Sequence, residues 1–488
     1  MKNYIAGQWK ESENGKYSGK LEPSTGKLMG QFPSSTINDA AEAIDAADDS
    51  FKKWSETTSH DRAIILRKAG EIIESKRKEL EDLLVREAGK VRAQAVEETS
   101  GVLDQIYYYS GFERKITGDV VEGQKNRQKI FQYKVPYGVV LALTPWNFPA
   151  AMVARKLAPA LATGNTVVMK PSSDTPFTAE WLVRRFVEAG IPDGVLNLIT
   201  GKGSEIGDFL VSHRKVSLVT MTGSTETGQR IISKTSANMA KTILELGGKA
   251  PFMVWKDANL ENAAKALMWG KFWNAGQSCI AAERLYVHRD VREKFMKIFM
   301  GMVSKMRVGD PEISQMGPLI NSSAVSTMNG FVSKATEQGF SILHGGTTPH
   351  LEDRFSEGFF FEPTIIGGAT QDSDIFQEEI FGPMLGVMEV QEKDELIHMA
   401  NDSRFGLASY LFTSDMDFAL DAADRIRFGE LYINMTGPEA SQGYHTGFRM
   451  TGQAGEGSNH GIGEYLKLKN IYVDYSGDRI TVNGMPGI

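Results

Sequence analysis

One cysteine, Cys279, stands among 488 residues. A lone cysteine forms neither an internal disulfide nor a cysteine-based zinc site, which leaves an inert core residue, a surface thiol or a nucleophile. Histidine is scarce too: the 8 present show no ligand spacing such as H-E-x-x-H, and no metal is expected. Basic residues are not in excess, with 54 Lys+Arg against 61 Asp+Glu and a formal net charge of −7. That balance argues against broad nucleic-acid binding and leaves room only for a local basic patch. The start, MKNYIAGQWKESENGKYSG, has no apolar run, so no secretory signal is visible. The most apolar of the long uncharged stretches, residues 135–154, is long enough to test as a membrane span. Pro136, Pro145, Asn147 and Pro149 break it into GVVLAL, TPWNFP and AAMVA, which read better as a strand, a tight turn and a helix start. A soluble, cytoplasmic protein without a membrane partner is expected.

Apolar residues make up 41% and charged residues 24%, both ordinary for a globular chain, and the length calls for two or three domains. From Val139 onward, short apolar runs alternate with helical patterns, the signature of βαβ units. VVLAL is followed by a helix over 152–162 closed by Gly164, then the strand TVVM, the helix TAEWLVRRFVEAG and the strand GVLNLIT. A short helix after Gly203, the strand VSLVTM, a helix after Ser224 and the strand KTILEL complete a doubly wound, dinucleotide-binding α/β sheet. A second α/β domain starts near 247–250 with PFMVW (251–255). It continues through a helix over 259–273, the strand RLYVHRD, a helix over 292–306, SILHGG, a helix over 392–401, SYLFT and GELYIN. The first hundred residues read as mostly helical, with helices over 38–55 and 62–87. QKIFQYKV (128–135), after a turn-rich stretch at 118–126, alternates like a strand, and LKLKNIYVDY (466–475) fits as an edge strand beside it. Exposed strand edges pair with other chains, so these pieces suggest a small β oligomerisation element.

The residues with chemical potential are ambiguous one by one. Gly201, Gly203 and Gly207 in GKGSEIG make a G-x-G-x-x-x-G pattern one residue too long for the usual dinucleotide fingerprint, and a turn explains it equally well. In MTGSTETG (221–228), Gly223 ends a strand and Ser224 caps the next helix, whose free N–H groups suit a pyrophosphate or merely a plain cap. Asn147, gripped in TPWNFP, is either a turn residue or a rigid amide able to hold an oxyanion. Glu245, at the end of an apolar strand and followed by Gly-Gly, is either a salt-bridged carboxylate or a general base with a raised pKa. Cys279 lies in FWNAGQSCIAAER, where Gly276 permits close backbone approach; a thiolate there needs a helix end or a nearby cation.

Taken together, TPWNFP, MTGSTETG, ELGGK, FWNAGQSC and EEIFGP (378–383) occur in the order and approximate spacing of the aldehyde dehydrogenase superfamily. The resemblance spans nearly the whole chain, from YIAGQW to the last strand. It implies a cofactor-binding domain of residues 1–117 and 137–248, a catalytic domain of 249–458, and a bridging element of 118–136 and 459–488 in a homo-oligomer, a homotetramer arranged as a dimer of dimers. It further implies that Cys279 adds to the aldehyde carbonyl, that Asn147 and a backbone N–H hold the oxyanion, and that Glu245 activates the water that hydrolyses the resulting thioester. For the cofactor, it places Lys170 on the adenosine ribose, Ser224 with Gly203 and Gly223 near the phosphates, Glu379 and Phe381 on the nicotinamide ribose, and Trp146 and Gly247 at the site.

One departure bears on cofactor choice. NAD-preferring members usually carry Glu three residues after the lysine, where KPSSDTP has Ser173. Without that carboxylate a 2′-phosphate is not repelled, so NADP is expected to be preferred, with NAD possible. Near the C-terminus, GPEASQGYHTGFRMTGQAGEGSNHGIGEYL resembles the lactaldehyde/glycolaldehyde/glyceraldehyde branch, in which residues matching Arg155, Glu439 and His445 contact substrate hydroxyls; the alternative is an ordinary ion pair and a loop histidine. The expected activity is oxidation of a small 2-hydroxyaldehyde. Rivals are a CoA-acylating enzyme, a broad-specificity or succinate-semialdehyde enzyme, and a non-catalytic relative retaining the scaffold. The tail SGDRITVNGMPGI (476–488) runs past the point where members of this branch usually stop.

Overall fold

Apolar runs with no polar alternation suit strands covered on both faces, and in the computed structural model, which describes residues 1–437 and 439–477, they lie so. Leu196–Leu198, Thr166–Pro171, Val139–Thr144, Val216–Thr222 and Lys241–Glu245 are adjacent and parallel in that order. Alternate side chains of each strand feed different cores. Val139 and Leu141 pack with Ile44, Leu210 and Ile231 on one face, while Val140 and Ala142 pack with Leu157, Leu182 and Ile106 on the other. The edges are closed antiparallel. Asn3–Ile5 and then Gln8–Lys10 flank Leu196–Leu198, and Gly452–Gln453 returns from far along the chain to pair with Leu244 and Glu245.

The first hundred residues are less helical than expected. Four strands, Asn3–Ile5, Gln8–Lys10, Tyr17–Leu21 and Leu28–Pro33, precede the helix Ile37–Ser55; the first two, of three residues each, are too short for a period-2 pattern, and all four are fixed by antiparallel pairing. The helix expected over 62–87 is two, Ser59–Ser75 and Arg77–Ala88. Lys76 leaves helical geometry and its N–H closes on the carbonyls of Ile72 and Ile73. The bend lets Leu66 and Ile73 from one helix and Leu80 and Leu84 from the other enter a single core.

A second sheet runs in the order Ser341–His344, Thr364–Gly367, Met384–Val390, Ala282–His288, Ala250–Val254, Ala408–Phe412 and Glu430–Ile433, all parallel except the first. The sequence reading assigned neither Thr364–Gly367 nor Met384–Val390, nor the helix Ser322–Glu337. The strand expected through Asp290 stops at His288, whose ring accepts the Asp290 N–H and starts the helix Arg289–Val303 earlier than its apolar pattern suggests.

The two unassigned pieces do pair: Leu466–Asp474 lies antiparallel to Gln128–Pro136 from Leu466↔Pro136 to Asp474↔Gln128. Asp119–Glu122, inside the turn-rich stretch, adds a third strand. Residues 478–488 of the expected tail lie outside the described residues. Among the described residues no helix is long and apolar enough to cross a membrane, and no cluster of His, Cys, Asp and Glu is arranged to hold a metal ion.

One buried amide joins this small sheet to the first. Asn165 accepts the Gly138 N–H at 2.9 Å and donates to the Tyr465 carbonyl at 3.0 Å. Asn165→Ala leaves both backbone groups unpaired at a fully buried site, a loss of about 1–3 kcal/mol for each. A clear fall in the denaturant midpoint is the expected result.

Candidate active site

The loop carrying Cys279 is held in an unusual backbone shape. After the helix Leu260–Phe272, Asn274 and Ala275 have φ of 52° and 54°, and Gly276 follows at 73°. Left-handed geometry at two non-glycine residues costs about 1–2 kcal/mol each, and a surrounding network offsets it. Asn274 Nδ2 donates to the carbonyls of Asn147 (3.0 Å) and Gln277 (3.2 Å), and Gln277 Nε2 donates back to the Asn274 carbonyl at 2.9 Å. Gln277 Oε1 accepts the Ile320 N–H at 2.9 Å. A side chain at Gly276 would place its Cβ 2.2 Å from the Gly382 carbonyl oxygen, so only glycine fits. Asn147 joins the same network through Nδ2 to the Gln277 carbonyl at 3.1 Å, and Phe148 stacks on Trp273 with centroids 4.8 Å apart.

Glu245 ends its strand in register with Thr222 and is buried. Burial pushes its pKa up to about 8, with Glu456 adding to the rise and His445 opposing it. Neither carboxyl oxygen has a hydrogen-bond partner among the described residues, and His445 Nε2 lies 3.8 Å away. The two glycines that follow are contact points. A Cβ on Gly248 would sit 2.0 Å from the Cys279 carbonyl oxygen, and one on Gly247 would sit 2.6 Å from Glu379 Oε2. The Gly248 N–H donates to Glu379 Oε1 at 2.7 Å. Burial, aided by Glu283, pushes the Glu379 carboxyl up to about 8. Glu283 in turn accepts the N–H groups of Ile380 and Phe381 at 2.8 Å each and lies 2.9 Å from Lys249 Nζ. Phe381 is itself left-handed, φ 52°, and meets Trp146 edge-on with centroids 5.4 Å apart.

A cavity of about 130 Å³ collects Asn147, Arg155, Cys279, Glu439 and His445 on one wall system. Arg155 pairs with Glu439, while its Nε is buried with no partner among the described residues. Burial opposes ionisation of Glu439, but Arg155 and His445 outweigh it and hold the carboxyl well below its ordinary range. Burial likewise opposes charge on His445, and Glu430 and Glu439 outweigh it, raising the imidazole pKa well above its usual value. Burial holds the Cys279 thiol above its ordinary pKa, with the nearby His445 opposing part of the rise.

A second cavity, about 510 Å³, is lined by Trp146, Lys170, Ser173, Gly203, Gly223 and Ser224. Thr222 lines both cavities, so they adjoin at the end of its strand. Gly247, Glu379 and Phe381 lie beyond its lining, reached through the Trp146–Phe381 contact. Ser224 accepts the Thr227 N–H at 3.3 Å and caps the helix Thr225–Thr235, whose first N–H groups open on the cavity. Ser173 Oγ donates to the Gly201 carbonyl at 3.2 Å. The buried ammonium of Lys170 donates to the Pro171 carbonyl at 3.3 Å, and burial alone lowers its pKa to about 8. A desolvated lysine without a carboxylate, beside a capped helix N-terminus, fits a phosphate-bearing dinucleotide.

A model of the aldehyde dehydrogenase family matches residues 9–471. The chain belongs to the aldehyde dehydrogenase family. D-glyceraldehyde dehydrogenase (NADP(+)) of Picrophilus torridus is 62% identical over 99% of this chain and 98% of its own. Lactaldehyde dehydrogenase of Escherichia coli is 36% identical over 96% and 98% respectively. A solved structure of 3,6-anhydro-L-galactose dehydrogenase superimposes with a TM-score of 0.95 at 39% identity, covering 97% of this chain and 99% of that one. These relatives agree with the family and the branch read from the motifs.

Several members of the site in this aldehyde dehydrogenase carried no readable signal. Asn274 and Gln277, which shape the cysteine loop, are silent because their work depends on left-handed backbone. Glu283 lies within the strand Ala282–His288 and Glu430 starts the strand Glu430–Ile433, positions where a carboxylate reads as a surface group. Glu456, also lining the cavity, is bound to the buried Lys156 at 2.6 Å. Gly248→Ala is expected to drive the cysteine loop away from the second strand's entry, costing at least the roughly 1–3 kcal/mol of ordinary overpacking, read as a lower denaturant midpoint, and slowing alkylation of Cys279. In the control Gly301→Ala, on the exposed face of the helix Arg289–Val303 where a Cβ meets nothing within 4 Å, the midpoint should hold or rise slightly and alkylation should be unchanged.

Proposed function

We propose that this protein oxidises a small, uncharged hydroxyaldehyde, D-glyceraldehyde foremost and lactaldehyde as a further substrate, with NADP preferred and NAD accepted. The observation that carries this reading is the charge balance of the substrate cavity. Its one arginine, Arg155, is already paired with Glu439, and His445 is engaged by Glu430 at 2.8 Å. Glu97 and Asp104 add carboxylates to the wall. A carboxylate or phosphate on the substrate would meet net negative charge, which disfavours the succinate-semialdehyde alternative. A hydroxylated aldehyde instead finds Arg155 Nε, Glu439 and His445 as hydrogen-bonding groups, and buried donors left unpaired penalise analogues lacking the hydroxyl. The 62% identical relative named for D-glyceraldehyde and NADP supports the same choice.

In this reading Cys279 Sγ adds to the carbonyl carbon. One hydrogen of the Asn147 amide is held by the Gln277 carbonyl, leaving the other, with a backbone N–H, for the oxyanion, a contribution of about 2.7–4 kcal/mol per donor. A bound dinucleotide would supply the hydride acceptor. Glu379, which accepts the Gly248 N–H, and Phe381 would hold the nicotinamide end; Lys170, Gly203, Gly223 and Ser224 would hold the adenosine and phosphate end. Ser173 leaves room for a 2′-phosphate beside Lys170. Glu245 then takes a proton from the water that hydrolyses the Cys279 thioester, releasing the acid.

The exposed apolar residues of the three-stranded piece, Val120, Tyr133, Leu468 and Tyr472 among them, support its use as the assembly surface of a homotetramer in the cytoplasm. The division into a cofactor domain (1–117, 137–248), a catalytic domain (249–458) and this bridging element follows the sheets, apart from the 452–453 strand, which joins the cofactor sheet.

An aldehyde panel assayed with NADP and NAD tests the reading, with Cys279→Ser as the blank. The expected order is D-glyceraldehyde with NADP highest and succinate semialdehyde at least about tenfold lower in kcat/KM, the scale of one lost charged contact. Full activity in Cys279→Ser, or a preference for the acid-bearing aldehyde, overturns it. The pH dependence has a definite sign. Glu245 titrates near 8 and accepts a proton only when ionised, so thioester hydrolysis should rise roughly tenfold per pH unit below that value and level above it. Single-turnover acid release against pH measures this, and Glu245→Gln should abolish the rise.

A further inference from the structure

The helix that begins directly after Asn147 has no cap of its own. Phe148 occupies the cap position of Pro149–Ala162 and offers no side-chain acceptor. Pro149 has no N–H to satisfy, and the Met152 N–H makes the first helical bond, to the Phe148 carbonyl at 2.9 Å. The two N–H groups left over, those of Ala150 and Ala151, both donate to one oxygen, Glu98 Oε1, at 2.9 and 3.1 Å. Glu98 comes from another helix, Arg92–Ser110, and is buried. Its second oxygen lies 3.1 Å from the ammonium of Lys90, and neither side chain reaches solvent.

Lys90 reaches the same turn by a second route. Its ammonium is 4.0 Å from the centre of the Phe148 ring, and that ring stacks on Trp273, the first residue of the turn Trp273–Gly276 ahead of Cys279. Asn147 sits between these fastenings. Its carbonyl accepts Asn274 Nδ2 at 3.0 Å, and its own Nδ2 donates to the Gln277 carbonyl at 3.1 Å. A carboxylate at a helix N-terminus gains from the helix dipole, and its bonds to N–H groups are charge-assisted, which makes Glu98 a strong anchor for the helix start. Glu98 also lines the substrate cavity, but one oxygen is taken by the helix and the other by Lys90.

We propose that Glu98, held in place by Lys90, is a positioning residue that fixes where the helix begins and thereby aims the free hydrogen of the Asn147 amide at the oxyanion. The proposal rests on the reading of Asn147 as an oxyanion donor. Loss of Glu98 leaves two N–H groups of the first turn without an acceptor, Ala150 among them at a fully buried position. The helix start then gives way at the residue next to Asn147, and the amide loses its direction while the cofactor cavity keeps its walls.

Single-turnover formation of NADPH, in the full-length protein at saturating D-glyceraldehyde and NADP, reads the step that the oxyanion feeds. Glu98→Ala should slow it roughly tenfold to a hundredfold, the scale of an ångström of misplacement. NADP binding, followed by tryptophan fluorescence, should change by less than about twofold, because Glu98 does not line the dinucleotide cavity. Glu98→Gln keeps an acceptor for the two N–H groups and should recover most of the rate. In an Asn147→Ala background, Glu98→Ala should slow the turnover by no more than about a further twofold, since residues that act through one group are not additive. A normal rate in folded Glu98→Ala, or an equal loss with and without the Asn147 side chain, overturns the proposal. Should Glu98→Ala strand the Lys90 ammonium and fail to fold, Glu98→Ala combined with Lys90→Met removes that charge and undergoes the same tests. An unchanged rate in Asn147→Ala would strike the oxyanion reading and this proposal together; a slow rate there beside a normal one in Glu98→Ala strikes this proposal alone.

Discussion

Between Glu245, where the last parallel strand of the first sheet ends, and Ala250, where a central strand of the second begins, the chain passes directly under the cysteine loop. The crossing works because Gly248 has no side chain: a Cβ would lie 2.0 Å from the Cys279 carbonyl oxygen. With the backbones in contact, a carboxylate on one sheet and a thiol before a strand of the other share a fixed frame. Lys249, next in line, is buried and bound to Glu283, which also receives the N–H groups of Ile380 and Phe381. Glu379, one residue earlier, returns to the Gly248 N–H. The crossing, the cysteine loop and the 379–381 segment are therefore one hydrogen-bonded unit, and displacing any of them moves the others.

Charge inside this unit is arranged by pairs. Lys156 with Glu456, Arg155 with Glu439 and Lys249 with Glu283 are all buried, where an unmatched ion would cost several kcal/mol. Glu245 has no lysine or arginine partner among the described residues, with the His445 ring 3.8 Å away, and burial keeps its proton until about pH 8. The contrast separates the paired carboxylates, which stay anionic and build the walls, from Glu245 and Glu379, both of which burial pushes up to about 8. That separation follows from which strand end each occupies and from the cations placed behind the others.

The parts of this arrangement legible in the sequence are those with local signatures. The apolar strands from Val139 to Glu245 announce themselves because both faces are covered. ELGGK and FWNAGQSC mark out Glu245 and Cys279 because glycine is needed where backbones touch. What the sequence hides is set by pairing across long separations. The strand at Gly452 is visible only once it lies against Leu244 and Glu245. Glu430 reads as a strand residue until His445, 15 positions away, folds against it. The break at Lys76 is likewise invisible in helical periodicity, because both halves keep their apolar stripes and only their direction changes.

The segment from Glu439 to Glu456 is fastened at several points along its course. Ser441 is bound by Asp104 and by Gln105 at 2.9 Å, His445 and Thr446 pair with Gly455 and Glu456, and Gly452 is stitched into the first sheet opposite Glu245. The wall that meets the substrate is thus a set of short spans between fixed posts rather than a free loop. Lengthening or shortening any span would pull on the strand that carries Glu245. Within such a frame, a change of substrate is open to exchange of side chains at constant spacing, and closed to the insertions by which most surface loops diversify.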